Sequence, residues 1–333
     1  MSVRHLQILA GITIISVLAA IGVVITDQNA VNARFTPRLA FPSIEDRRSD
    51  ISDISITGED QTIHLQRNGS GPWGVASSDG YPADPAAVVR LISAMENLML
   101  VDPRTKKPEN FSKLKLDDPS LGNGAVGIEF HDREDALISG LILGARQSAP
   151  TADQPGQFYI RLAEGTRAWL AEGRLITTPI ARNWLDQAMG LPLDTDIKSI
   201  KITPSEGRSY EMAREMAGAS FKFKKLPKER RLRSDSAPLQ LAQSLAFLTI
   251  DDARSRPERL PKPQAKISYE MFDGRSLKLM QWTEDTHVWL AVDLKGEWAE
   301  PLTSRTANYI FRIAPARAKT LSPTLESLLI PKT

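Results

Sequence analysis

The chain has 333 residues, a formal net charge of +2, and charged and apolar fractions of 25% and 41%, a composition typical of a packed globular protein of about two domains. This near-neutral charge gives no global electrostatic reason to expect nucleic-acid binding. Because the chain has no cysteine, disulfides, thiol nucleophiles, iron–sulfur clusters and cysteine-ligated zinc sites are excluded.

The first predicted element is the apolar segment Leu6 to Ile25, which carries no charged residue. A helix of this length spans roughly 30 Å, the thickness of a bilayer's hydrocarbon core. The segment exceeds the ~7–15 apolar residues of a signal peptide, although Val31-Asn32-Ala33 resembles a cleavage site and leaves cleavage as the alternative. We therefore expect residues 1–26 to form an uncleaved transmembrane signal-anchor with a short cytoplasmic tail, and most of the chain to lie outside the cytoplasm.

A linker and two similar regions are predicted after the anchor. Residues 27–46 contain two prolines and no sustained hydrophobic period, as linkers do. The alternating pattern of residues 51–57 recurs at 197–203, and the apolar helical stripe of 91–102 recurs at 241–252. Three shorter matches follow in the same order: Asp132 with Asp273, Trp169-Leu170-Ala171 with Trp289-Leu290-Ala291, and Asn183-Trp184 with Asn308-Tyr309. These matches predict an internal duplication, with repeat 1 at 47–190 and repeat 2 at 191–333.

Each repeat is interpreted as three strands, a helix and three further strands. Short connections between successive strands indicate antiparallel pairing, with the helix packed on one face. In the first repeat Asp84 is the expected N-cap and Pro85 the first helical residue, and in the second Ser234 or Ser236 is the expected cap. The predicted fold class is α+β: an N-terminal transmembrane helix followed by two related domains, each an antiparallel β-sheet with a helix packed on one face.

Several motifs of the first repeat resemble the domain-of-unknown-function 4340 family. They are Pro72-Trp73-Gly74-Val75, Tyr81-Pro82-Ala83-Asp84, a helix ending at Leu98–Val101, and the segment from Phe111 to Pro119. The resemblance covers essentially everything after the linker. It implies a bacterial, membrane-anchored protein, periplasmic for most of its length, whose genes neighbour ABC-type transport systems of the gliding-motility auxiliary kind. It implies no catalytic or binding residues.

The motifs that could carry chemistry are weak. Gly122-Asn-Gly-Ala-Val-Gly127 has the letters of a dinucleotide-binding loop, but it precedes a predicted strand instead of joining a strand to a helix. Ser112-Lys-Leu-Lys115 lacks the partner motifs of a serine hydrolase, and a phosphate-binding Walker sequence does not occur. His5, His64, His131 and His287 are isolated in the sequence. We therefore expect no catalytic residue, no cofactor and no metal site.

Two further groups of residues are given a structural or a binding interpretation. Aromatic and turn residues are expected to determine the fold: Trp73, Tyr81, Pro82, Asp84, Pro85, Trp169 and Trp289. A basic segment is either a solvated loop or a contact for lipid headgroups or an acidic partner. Its basic residues are Lys222, Lys224, Lys225, Lys228, Arg230, Arg231 and Arg233.

The sequence and the resemblance together predict a non-catalytic, membrane-anchored extracytoplasmic accessory of an ABC-type transport or cell-envelope system. It would dock a partner protein, such as a permease, or hold a substrate in the cleft between the repeats, because domain interfaces favour such pockets. The alternative is an envelope module that binds polysaccharide or lipid headgroups. An enzyme is not expected, because the sequence shows neither a nucleophile–base pair nor a metal-binding motif.

Overall fold

The computed structural model describes residues 35–330, except 68, 228 and 229. In this part of the chain most regular structure is antiparallel β-sheet, arranged as one sheet of ten strands and one of eight. The strands of the first sheet are β1 (Arg38–Leu39), β2 (Asp53–Thr57), β3 (Thr62–Gln66), β4 (Gly74–Val75), β5 (Tyr81–Pro82), β6 (Met99–Pro103), β7 (Val126–His131), β8 (Leu137–Ser148), β9 (Gly156–Leu162) and β10 (Ala168–Gly173).

The second sheet and the helices complete the described fold. The strands of the second sheet are β11 (Ile197–Pro204), β12 (Tyr210–Ala213), β13 (Lys222–Phe223), β14 (Asp252–Ser255), β15 (Ala265–Met271), β16 (Ser276–Glu284), β17 (His287–Lys295) and β18 (Tyr309–Ile313). The α-helices are α1 (Ile44–Arg47), α2 (Pro85–Glu96), α3 (Ala237–Ala246), α4 (Leu302–Asn308), α5 (Pro315–Leu321) and α6 (Leu325–Leu328). We call residues 174–196, between β10 and β11, the connector.

Local sequence explains the main elements. In β3 the buried Ile63 and Leu65 alternate with exposed residues, as expected for a strand with one face on the core. Helix α2 buries Val88, Leu91, Ile92 and Met95, which form a single stripe at helical spacing. The helix begins where the Asp84 carboxylate accepts a hydrogen bond from the backbone N–H of Ala86 at 2.8 Å.

The two sheets share a strand connectivity. The first sheet has the order β1-β6-β10-β9-β8-β7-β2-β3-β4-β5, and the second has the order β13-β12-β11-β15-β16-β17-β18-β14. In each sheet the strand that follows the long helix pairs with the strand that comes last in the chain: β6 pairs with β10, and β14 pairs with β18. By this order Trp169, in β10, corresponds to a position in β18, whereas Trp289 lies in β17. The sequence match between these two tryptophans therefore joins strands that occupy different places in their sheets.

The predicted α+β fold class is wrong for the described part of the chain, which is mostly β. One reason is visible after α2: the helix ends at Glu96, and residues 99–103, which the sequence reading partly assigned to the helix, form β6. Within the described residues, none of the helices combines the length and apolarity needed to cross a bilayer. The segment predicted to form the transmembrane helix, Leu6 to Ile25, lies outside the described residues.

A single cluster of buried apolar side chains runs through both halves of the molecule. It includes Ile56 and Phe130 of the first sheet, Tyr269 and Phe311 of the second, and Trp184 of the connector. Because the core is continuous, the two sheets pack as one body, and the contacts between them define a junction.

Candidate functional site

The turn before β5 makes the first set of polar contacts across the junction. The buried Ser78 donates a hydrogen bond from Oγ to Oδ1 of Asp252 at 2.6 Å, and Asp79 Oδ2 accepts from the backbone N–H of Ser255 at 2.7 Å. Asp79 has a left-handed backbone, with φ of 52°, and Gly80 follows with φ of 73°. This tight turn presents both side chains to strand β14 of the other sheet.

The connector adds a second set of contacts. The Gln187 side chain pairs with Ile250 as another backbone would: its amide nitrogen donates to the Ile250 carbonyl at 3.1 Å, and its oxygen accepts from the Ile250 N–H at 2.8 Å. Connector residue Leu185 forms a β-bridge with Ala83, just after β5. The connector therefore hydrogen-bonds to both halves of the molecule.

A buried aromatic and ionic cluster lies at the centre of the junction. The Tyr81 hydroxyl donates to the Asp186 carbonyl oxygen at 3.0 Å, and the edge of the ring lies against Tyr309 with centroids 5.1 Å apart. Arg305 donates from Nη2 to Oδ2 of Asp186 at 2.5 Å and from Nη1 to the Ala188 carbonyl at 2.7 Å. Burial raises the pKa of Tyr81 to about 12, because the phenolate would be poorly solvated there.

A groove of about 420 Å³ opens beside the junction, within the size range of small-molecule pockets. Connector residues form one side, and the tip of the β16–β17 hairpin and the end of β18 form the other. Its lining includes Ile180, Arg182, Asp251, Thr286, His287 and Arg312.

The groove has an apolar wall and a rim of paired charges. Ile180 and Ile313 supply apolar surface, and the guanidinium of Arg182 lies 3.2 Å from the Asp251 carboxylate. Arg312 lies 3.5 Å from Asp252, the same carboxylate that Ser78 contacts. Such a surface can accept a polypeptide segment that offers one apolar side chain and hydrogen-bonding or charged groups around it.

The hairpin tip that borders the groove is strained. Glu284 of β16 pairs with His287 of β17, so the turn consists of Asp285 and Thr286 alone. Both have left-handed backbones, with φ of 46° and 71°. A β-branched residue such as Thr286 rarely adopts this conformation, and strain of this kind concentrates at functional sites. A two-residue hairpin turn of type I′ requires a positive φ at both positions, so the turn itself accounts for this backbone, and glycine would adopt it with less strain than Thr286 does.

The predicted aromatic residues lie at separate places in the structure. Arg67 stacks over the half-buried Trp73 at 4.8 Å, and Arg254 stacks over the buried Trp289 at 4.0 Å. Trp169 packs against Phe35 with ring centroids 5.2 Å apart. Each tryptophan is thus covered by neighbours of its own sheet or of the preceding segment, and the three do not share one surface.

The motif from Tyr81 to Pro85 lies at the junction. Tyr81 and Pro82 form β5, and the Pro82 carbonyl accepts a hydrogen bond from the Asp186 N–H at 2.9 Å. The Asp84 N–H donates to the Trp184 carbonyl at 2.7 Å while its side chain caps α2. This motif joins the first sheet to its helix and also fixes the connector.

The basic segment is partly neutralised. Lys224 pairs with Glu211, and Arg230 lies 3.2 Å from Glu326 and donates to the Ile330 carbonyl at 2.7 Å. Four other basic residues of the segment are exposed, and Lys228 lies outside the described residues. The exposed ones are Lys222, Lys225, Arg231 and Arg233.

Sequence reasoning missed the residues of the junction and its groove. The sequence predicted no site role for Asp251 or Asp252, yet both pair with side chains from elsewhere. Asp186 and Arg305 carried no motif, because they meet only through the fold across 119 positions. In the described ranges, no group of three or more histidine, aspartate or glutamate side chains is placed to hold a metal ion.

The fold and the junction together define a two-sheet β protein with a groove at the contact between its halves. Residues 73–266, more than half of the chain, match the family described as Domain of unknown function (DUF4340), and the protein belongs to that family. No curated protein and no solved structure matches the chain.

Proposed function

We propose that the protein is a non-catalytic accessory component of an ABC-type transport or cell-envelope system of the bacterial inner membrane, and that it docks a partner protein in the junction groove. It would be attached to the membrane through Leu6 to Ile25, with its two sheets outside the cytoplasm. The apolar character of that segment and the resemblance to the family support this placement.

The observation that carries the docking proposal is the exposed apolar surface of the connector. Ile176, Ile180 and Leu193 are 63%, 48% and 59% exposed. Of these three residues Ile180 lines the junction groove, where an exposed apolar side chain beside paired charges favours a contact with another protein. Burial of one such side chain on docking contributes roughly 1.5–3 kcal/mol.

The partner's chemistry follows from the groove. An apolar side chain of the partner would cover Ile180, and its polar groups would meet the ion pair of Arg182 and Asp251. The partner we propose is an extracytoplasmic segment of the system's permease, because such a segment lies on the same side of the membrane as the two sheets.

Site-specific photocrosslinking in the native membrane tests this function. A benzophenone amino acid at position 180 of the full chain is expected to give an adduct that mass spectrometry identifies as a permease subunit. The matched control is position 216: Met216 is 66% exposed but belongs to the segment between β12 and β13, at the other edge of the second sheet. Equal adducts from both positions, or adducts without a transport subunit, would show that the groove is not the docking site.

A substitution adds a second readout. Arg182→Glu places two carboxylates together on the rim and is expected to weaken the crosslink from position 180, because like charges repel and the partner's polar groups lose their donor. Arg90→Glu changes the charge by the same amount on helix α2 and is expected to leave the crosslink unchanged. If Arg182→Glu and Arg90→Glu weaken the crosslink equally, the effect comes from the change in the protein's net charge and not from the groove.

A further inference from the structure

A second groove, which we call the helix groove, lies in the first sheet between helix α2 and the strands beside it. It has a volume of about 560 Å³, larger than the junction groove and within the range of small-molecule sites. One wall comes from the face of α2 that carries Arg90, Ala94 and Asn97, which follow one another at helical spacing. The start of β6, the end of β10 with the first connector residue, and the loop before β9 form the rest.

The interior of the helix groove is mainly apolar. Met99 of β6, Ala94 of α2 and Pro155 of the loop before β9 line it, and Gly173 contributes backbone without a side chain. The groove-facing helix residues Ser93 and Ala94 are small, whereas the opposite face of α2 carries the large core residues. This difference in size leaves space along the helix that an aliphatic chain can fill.

The rim of the helix groove carries two guanidinium groups and one carboxylate. Arg174 is held by a hydrogen bond from Nη2 to the Ala152 carbonyl at 2.7 Å. Arg90 lies 3.6 Å from Asp84, and both side chains are well exposed, so this ion pair is weak. The carboxylate of Glu172 accepts a hydrogen bond from Gln157 at 3.1 Å. With Asp84 counted, the charges at the rim balance, but within the described residues Arg174 makes no ion pair and lies beside the apolar interior.

We propose that the helix groove binds a fatty acid, with the acyl chain along Ala94 and Met99 and the carboxylate at Arg174 and Arg90. The apolar interior gains free energy by removing the chain from water. A guanidinium binds a carboxylate through two parallel hydrogen bonds, which fixes the orientation of the head. This site is independent of the junction groove, so the failure of either proposal leaves the other intact.

Photolabelling tests the site directly. The full chain in nanodiscs of phosphatidylcholine is exposed to a diazirine analogue of dodecanoate, irradiated and digested. The label is expected on peptides that contain residues 90–99 and 172–174, and unlabelled dodecanoate is expected to compete while dodecanol does not. Label spread over the whole chain, or equal competition by dodecanol, would overturn the proposal.

Two substitutions and a matched control sharpen the result. Ala94→Trp fills the space that the acyl chain would occupy, and Arg174→Gln removes a charged hydrogen-bond donor to the carboxylate. Each substitution is expected to reduce labelling about tenfold. Val89→Trp adds the same bulk to α2 at an exposed position outside the groove and is expected to leave labelling unchanged. Circular dichroism checks that each variant folds, and labelling that persists in a folded Ala94→Trp variant would refute the site.

Discussion

Arg305 of α4 and Asp186 of the connector form a buried ion pair across the junction, with Arg305 Nη2 2.5 Å from Asp186 Oδ2. Their side chains are only 7% and 19% exposed. The same arginine donates to the Ala188 carbonyl, and the backbone carbonyl of Asp186 accepts from Tyr81. One cluster of side chains therefore joins the first sheet, the connector and the second sheet.

Removal of this arginine is expected to destabilise the protein strongly. Arg305→Ala leaves the Asp186 carboxylate buried without its partner, and a loss of about 3–5 kcal/mol in the free energy of unfolding is expected. Urea unfolding followed by tryptophan fluorescence measures it. The control is Arg90→Ala, which breaks an exposed ion pair with Asp84 and should cost at most about 1 kcal/mol. Equal losses in the two variants would contradict the importance of the junction cluster.

Alkaline pH is expected to destabilise the junction through Tyr81. Its pKa is raised to about 12 in the folded protein, mainly by burial, whereas an unfolded tyrosine titrates near 10. The stabilisation is therefore complete below about pH 10 and is lost as the pH rises from about 10 to 12, by about 2–3 kcal/mol at most. Urea unfolding at a series of pH values between about 8 and 11 measures this loss.

The Tyr81→Phe variant isolates the contribution of this hydroxyl. It lacks the hydrogen bond to Asp186 and should be less stable by about 1 kcal/mol near neutral pH, but its stability should fall less steeply above about pH 10. Some pH dependence should remain, because burial also raises the pKa values of Tyr210 and Tyr269. Parallel pH curves for the variant and the unmodified chain would show that Tyr81 does not cause the loss.

The two long helices offer a matched test of capping. Asp84→Ala is expected to cost about 1 kcal/mol, because the carboxylate that accepts the Ala86 N–H is lost from the start of α2. At the start of α3 Ser236 occupies the same position, but its hydroxyl accepts from the Gln240 side chain instead of from a first-turn N–H. Ser236→Ala should therefore cost only a few tenths of a kcal/mol. Thermal unfolding of both variants compares them, and similar losses would show that cap geometry does not decide the difference.

Local features of the fold were predictable from the sequence because they depend on neighbouring residues. Examples are the cap at Asp84 and Pro85 and the alternating patterns of residues 51–57 and 197–203, which lie largely in β2 and β11, since a side chain's preference for one face is visible within a few positions. Resemblance to the family also rested on short local motifs, and the match over residues 73–266 confirms it.

The fold class and the junction were not predictable in the same way. Residues 99–103 follow a helical stripe directly, so only the pairing of β6 with β10 and β1 reveals them as a strand. The hydrogen bond from Ser78 to Asp252 spans 174 positions, and nothing in either local sequence indicates the partner. The groove between Ile180 and Thr286 arises from the same long-range packing, and a single sequence carries no local signal for it.

Replacement of Thr286 by glycine is expected to stabilise the protein by relieving backbone strain and to weaken docking by removing a side chain from the groove. A left-handed backbone costs an L-residue about 1–2 kcal/mol, and glycine avoids most of this cost although it loses more entropy on folding. Thr286→Gly should therefore raise the free energy of unfolding by up to about 1 kcal/mol, as measured by urea unfolding. The control is Thr283→Gly, one residue before the end of β16, which should lower the free energy of unfolding by at least about 0.5 kcal/mol because glycine weakens a strand.

In Thr286→Gly the crosslink from position 180 should also decrease, since the threonine side chain no longer borders the groove. A variant that gains no stability would show that the turn is unstrained, and an unchanged crosslink would show that the Thr286 side chain does not contribute to docking.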